Sequence, residues 1–211
     1  MKDQITATQL TDWITECARL INVHVDALND LDATAGDADH GSNLERGFNA
    51  VMTIGPLDQL KSPLELLKYV GSTIVDVVGG SSGALYGTFF LRMARTSGQS
   101  GILDAAGFAD MLRAGGQGIV DRGSAQVGDK TLYDSLAPAI TALDEALAAG
   151  NTLARALISA SAAADAGRDS TVALVALKGR ASYLGDRTIG YADAGATSMA
   201  LIIRAAMTSL S

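Results

Sequence analysis

Apolar residues in this chain return every three or four positions, segment after segment, and that rhythm confines it to packed helices. Leu10, Trp13, Ile14, Cys17, Leu20, Ile21, His24 and Leu28 make one such stripe, predicting a first helix over about residues 8–29. Cys17 and His24 fall on the stripe and read as packed core residues.

Leu44, Phe48, Val51 and Met52 mark a short second helix. Ser62-Pro63-Leu64-Glu65 has the form of a capping box with proline at the first helical position, opening a third helix that runs to Gly79-Gly80. Further helices are expected over 84–95, 104–122, 131–149, 152–178 and 196–210. Ala and Leu outweigh the β-branched and aromatic residues, and three prolines interrupt the chain, so nothing favours a sheet. The expected fold is a single all-α domain spanning 1–211, eight antiparallel helices in an up-and-down bundle or closed barrel. Residues 30–42 and 179–195 stand out as polar, glycine-containing connections that are long for their type.

A formal charge of -7 with dispersed acidic residues repels nucleic acid and anionic membranes, so a phosphate-bearing ligand needs cations here. A lone Cys17 makes no intrachain disulfide, the amino end lacks the apolar core of a signal peptide, and no apolar run is long enough to span a bilayer. These features point to a cytoplasmic protein.

The twelve residues from Asp30 to Gly41 hold four carboxylates: Asp30, Asp32, Asp37 and Asp39. Such crowding is unfavourable unless a cation offsets it, and carboxylates without a cysteine cluster suit Mg²⁺, Mn²⁺ or Ca²⁺ rather than Zn²⁺. The alternative is that these aspartates cap helices and face solvent. An EF-hand fails, because a loop begun at Asp37 puts Gly41 at the third ligand, Ser42 at the required glycine and Phe48 at the closing glutamate.

Gly79-Gly80-Ser81-Ser82-Gly83 offers backbone N–H groups and hydroxyls that can grip phosphate oxygens, or can serve as a plain cap. From Gly123 to Thr131 the chain imitates a P-loop, but Asp129 intrudes between Gly128 and Lys130 and no strand precedes it. A Walker site is rejected; Lys130 is read as solvated, with a phosphate contact as the alternative. Lys178 to Gly185, then Asp193 to Ser198, add cationic donors and another helix start, with Arg180 able to hold a phosphate or base. Up-and-down topology brings alternate loops to one end of the bundle, so these segments are expected to meet in a Mg-nucleotide site.

Gly36-Asp37-Ala38-Asp39-His40-Gly41-Ser42-Asn43-Leu44-Glu45-Arg46-Gly47-Phe48 resembles the signature of the dihydroxyacetone kinase L subunit. Gly79 to Phe90, Val127 to Leu132, Lys178 to Gly185 and Gly195 to Ser198 resemble the same family in order and spacing. The resemblance implies a barrel of eight antiparallel helices, with Asp32, Asp37 and Asp39 binding two Mg²⁺ that bridge the phosphates of ADP or ATP. It also implies that His40, Gly41, Ser42, Asn43, Ser81 and Ser82 contact phosphates and nearby nucleotide atoms, and that Gly123, Leu132, Arg180, Asp193, Ala194 and Gly195 line the rest of the pocket. Ser81-Ser82 stands where the family usually has Ala-Ser, and Asp193-Ala194-Gly195 where it has Asp-Pro-Gly. By the same resemblance dihydroxyacetone sits on a separate K subunit, a phosphoryl-donor M subunit recharges bound ADP in place, and a transcription regulator is a further partner. An ATP-dependent kinase for another short ketose, or a nucleotide-sensing module, is the alternative.

Overall fold

A computed structural model describes residues 4–55, 57–98 and 102–210. Among the described residues nine α-helices succeed one another: α1 (Ala7–Val23), α2 (Val25–Ala33), α3 (His40–Ile54), α4 (Pro63–Val77), α5 (Gly80–Ser97), α6 (Ala105–Gly123), α7 (Leu132–Ala148), α8 (Leu153–Ser170) and α9 (Ala194–Ser209). α1 and α2 together are the first expected helix, interrupted at His24. The His24 imidazole is half-buried rather than core, and its Nδ1 lies 2.8 Å from the Leu20 carbonyl, competing for an acceptor at the break. Cys17 is fully buried, as its place on the stripe predicts.

Counted this way the described residues form eight antiparallel rods, each against its successor, with α9 closing the ring on α1. Trp13, Phe48, Phe89, Phe90 and Phe108 are fully buried in the core, with ring centroids 5.1 to 6.4 Å apart in tilted and edge-on pairs. Indole Nε1 of Trp13 donates across the closing seam to the Ile202 carbonyl, 3.0 Å away. Among the described residues no helix is long and apolar enough to cross a membrane.

Two boundaries and one cap differ from the sequence reading. α8 stops at Ser170 instead of near residue 178, and the chain continues through a 3-10 turn at Thr171–Ala173. α5 starts at Gly80, so Ser81 and Ser82 belong to its first turn rather than to an entry loop. At α4, Ser62 Oγ accepts from Glu65 N at 3.2 Å, but the Glu65 carboxylate reaches back to Lys61 N, one residue earlier than a capping box requires. A two-stranded ribbon, β1 (Gln4–Thr6) antiparallel to β2 (Ile102–Asp104), is a feature that helical periodicity could not foretell.

Close backbone approach fixes the α7–α8 pair. A Cβ on Gly167 would collide with the Asp134 carbonyl and crowd Pro138, and a main-chain atom cannot swing aside. Gly167→Ala is expected to lower stability by roughly 2–3 kcal/mol, an overpacking cost. A shifted urea midpoint with unchanged slope would register it; an unshifted midpoint would mean that the helices slide apart freely.

Candidate functional site

Up-and-down winding places the N-termini of α3, α5, α7 and α9 at one end of the ring, around a cavity of about 850 Å³. Each N-terminus brings the positive end of a helix dipole, and α5 starts without a side-chain cap on its first N–H groups, so the site favours anions even though the chain is acidic. The C-terminal turns of α2 and α6 and the segment 177–195 complete the wall.

One oxygen from each of Asp32, Asp37 and Asp39 can be chosen so that all three lie within 4.8 Å of one another. Two local devices gather them. Ala38 takes a left-handed conformation (φ 61°), unusual for a residue with a Cβ, and Asp39 N donates to Asp32 Oδ2 at 3.0 Å, folding the loop back on the end of α2. Arg180 reaches across from the opposite wall and pairs with Asp37. Three converging carboxylates, all hard oxygen donors, fit a Mg²⁺-type ion.

Beside them His40, Asn43, Ser81 and Ser82 line the cavity, with Gly123, Leu132, Arg180, Asp193, Ala194 and Gly195 on its remaining wall. Gly41 and Ser42 lie behind that wall. Gly41 abuts the Val25 carbonyl of α2, and Ser42 is tied to Asn29 through both its backbone N (3.1 Å) and its Oγ (2.9 Å). His40 bridges three helices, with Nδ1 3.2 Å from Ser82 Oγ and Nε2 2.8 Å from Ser198 Oγ. Burial pushes its pKa down, against the opposing pull of Asp32 and Asp39.

Lys130 is not solvated. It is buried, and Nζ donates to the carbonyls of Thr171 (2.8 Å), Leu174 (3.2 Å), Thr188 (2.5 Å) and Tyr191 (2.7 Å). The pseudo-P-loop is thus a latch: its lysine ends α8 and holds the 171–191 segment over the cavity. Burial lowers the Lys130 pKa, and Asp193 opposes that shift.

Sequence reasoning gave Tyr86 and Ser198 no role, although both lie within its motifs. Each sits one helical turn beyond a residue it did single out, Tyr86 after Ser82 and Ser198 after Ala194, and that spacing was the available signal. Tyr183 and Leu177, both strongly exposed, stand at the cavity rim.

Asp193 caps α9, its Oδ2 accepting from Ala196 N at 2.7 Å. Desolvation among the cavity walls nevertheless raises its carboxyl from an ordinary 3.8 to about 7, with the hydrogen bond from Ala196 N opposing. A raised folded-state pKa means stability that is complete below about pH 4 and lost as pH climbs through 7. Asp193→Asn keeps the capping oxygen and removes the titration. Without nucleotide, the melting temperature of the wild type is expected to fall relative to this variant by about 6 °C between pH 4 and 8. That corresponds to about 2 kcal/mol, reduced from the full linkage because the group keeps some solvent contact. Parallel pH profiles would refute the assignment.

Residues 34–208 match the DAK2 domain. The chain is 38% identical over 200 residues to the ADP-binding subunit of the PEP-dependent dihydroxyacetone kinase of Escherichia coli, covering 95% of each. It is 36% identical over 193 residues to the ADP-binding subunit of PEP-dependent dihydroxyacetone kinase 1 of Listeria innocua, covering 92% of this chain and 91% of that one. The crystal structure of the dihydroxyacetone kinase from C. freundii in complex with AMP-PNP and Mg²⁺ superposes with a TM-score of 0.70 at 26% identity. That match covers 93% of this chain and 33% of the other, so this chain spans about a third of that kinase's length. Matched along most of its length, the chain belongs to the DAK2 domain family.

Proposed function

We propose that this chain is the nucleotide-binding subunit of a PEP-dependent dihydroxyacetone kinase, holding Mg-ADP or Mg-ATP in the cavity at the N-terminal ends of α3, α5, α7 and α9. The observation that carries this reading is the convergence, in one cavity, of a three-carboxylate cluster with four helix N-termini. Carboxylates alone repel phosphate and helix ends alone do not call for a cation; together they suit a diphosphate clamped through divalent ions.

Asp32, Asp37 and Asp39 would hold the Mg²⁺ ions, two on this reading. Bound there, the metal supplies charge neutralisation to the phosphates. The first-turn N–H groups of α5 and the hydroxyls of Ser81 and Ser82 grip phosphate oxygens. Arg180, already beside Asp37, adds a mobile cation that can pass from the carboxylate to a phosphate as the site fills. Segment 177–195, latched by Lys130, screens the phosphates from water on the open side. In-line transfer to an acceptor asks of this chain only positioning and electrostatics, with no nucleophile of its own.

On this reading dihydroxyacetone is presented by a separate K subunit docked at the open end, and a phosphoprotein M subunit rephosphorylates ADP without its release. The same reading assigns the chain to the cytoplasm.

Purified protein, dialysed in Mg²⁺ and then denatured, is expected to release near-stoichiometric ADP, identified by chromatography and mass. Freely exchanging ATP would instead favour an ATP-dependent kinase. Absence of any nucleotide after soaking with Mg-ADP would remove the site assignment altogether.

A further inference from the structure

From the cavity wall inward runs a chain of hydrogen bonds whose direction matters. Tyr86 OH is 2.6 Å from Ser198 Oγ, Ser198 Oγ is 2.8 Å from His40 Nε2, and His40 Nδ1 is 3.2 Å from Ser82 Oγ. Ser82 faces the cavity at the start of α5, while Tyr86 and Ser198 are fully buried. The Gly195 carbonyl is a competing acceptor for both inner hydroxyls, 3.1 Å from Ser198 Oγ and 3.2 Å from Tyr86 OH, but each hydroxyl has a nearer partner within the chain, at 2.8 Å and 2.6 Å.

Two arrangements of hydrogens satisfy these distances. With the imidazole hydrogen on Nε2, His40 donates to Ser198, and Ser82 must direct its hydroxyl hydrogen to Nδ1, turning lone pairs towards the cavity. With the hydrogen on Nδ1 the order reverses. Tyr86 donates to Ser198, Ser198 to His40 Nε2 and His40 Nδ1 to Ser82, which leaves the Ser82 hydrogen free to point into the cavity. A lone pair facing a phosphate oxygen repels it, whereas a hydroxyl hydrogen forms a charge-assisted bond.

We propose that Tyr86 and Ser198 are positioning residues that hold His40 in its Nδ1–H tautomer and so keep Ser82 a hydrogen-bond donor to the nucleotide phosphates. This rests on the nucleotide reading above and extends it to the residues that polarise the site. Burial pushes the Tyr86 phenol well above its ordinary pKa, so the head of the chain keeps its hydrogen across the working pH range. Remove that hydroxyl, and Ser198 can turn its own hydrogen to the Gly195 carbonyl, releasing His40 to the opposite tautomer.

Titration calorimetry with Mg-ADP on nucleotide-stripped protein tests the relay, using wild type, Tyr86→Phe, Ser82→Ala and the double variant. Tyr86→Phe is expected to weaken binding roughly tenfold, Ser82→Ala by a similar factor, and the double variant no more than Ser82→Ala alone. A merely structural Tyr86 would instead weaken binding equally in both backgrounds, and that result, or no weakening at all, overturns the relay. Wild-type protein that fails to bind Mg-ADP would overturn the nucleotide reading beneath it. Independently of any variant, ¹⁵N-imidazole spectra of ADP-loaded wild type report the tautomer directly, with His24→Gln assigning the other of the two histidines. An Nδ1–H form for His40 is expected, and an Nε2–H form overturns the proposal.

Discussion

Replacing Asp37 with alanine is expected to abolish retention of Mg-ADP, weakening it by at least ~100-fold, while the nucleotide-free protein melts within about 2 °C of wild type. The two halves of this expectation have separate causes. Asp37 lies on an exposed loop, and its pair with Arg180 is of the solvent-screened kind that contributes little to stability. Taking one of three crowded carboxylates away even relieves repulsion in the metal-free state. Its weight is felt only when a divalent ion and two phosphates must be neutralised together. Mg-dependent ADP binding that survives the substitution would exclude Asp37 from the metal set.

Lys130→Met reverses the pattern, with a large loss of stability from a residue whose ammonium is bound to backbone carbonyls. The thioether fills similar space but withdraws the donor shared by four carbonyls, two of them at the end of α8 and two in the segment that covers the cavity. Withdrawing that donor from buried carbonyls costs about 3–5 kcal/mol in total, although the Thr171 carbonyl still accepts from Leu174 N at 3.1 Å. Urea denaturation should show that drop, and limited proteolysis should find new cleavage between residues 174 and 191. Nucleotide binding is expected to fail with it, since the segment bearing Arg180, Asp193 and Gly195 loses its anchor. A variant of native stability and affinity would reduce the buried ammonium to a bystander.

Much of this molecule was legible beforehand because its helices are stabilised by local rules. The stripe through Leu10, Trp13, Ile14 and Cys17, the proline start after Ser62 and the aspartate before α9 are short-range signals that tertiary packing leaves intact. The aspartate cluster was legible for a similar reason, since its three carboxylates lie within eight residues, Asp32 to Asp39. What escaped depends on partners distant in sequence. Nothing near Ser170 announces the end of α8; the apolar pattern continues through Val172 and Leu174, and the carbonyls that would extend the helix are claimed by a lysine some forty residues earlier. Lys130 itself looked solvated because no sequence rule foresees four carbonyls meeting around one ammonium. The β1–β2 ribbon joins segments about a hundred residues apart, and Tyr86 and Ser198 acquire meaning only once α3, α5 and α9 stand side by side.

Trp13 is the chain's single tryptophan, and it bonds across the seam where the first and last helices meet. Its intrinsic fluorescence is therefore an optical gauge of ring closure, unmixed with signal from any other indole. Because the seam joins residues 189 apart, it can form only after almost the whole chain is available, and the same final helix carries the Asp193 cap and the cavity-lining Gly195. A blue-shifted tryptophan band and the first capacity to trap nucleotide should thus emerge together during refolding, making one emission spectrum a clock for the birth of the site.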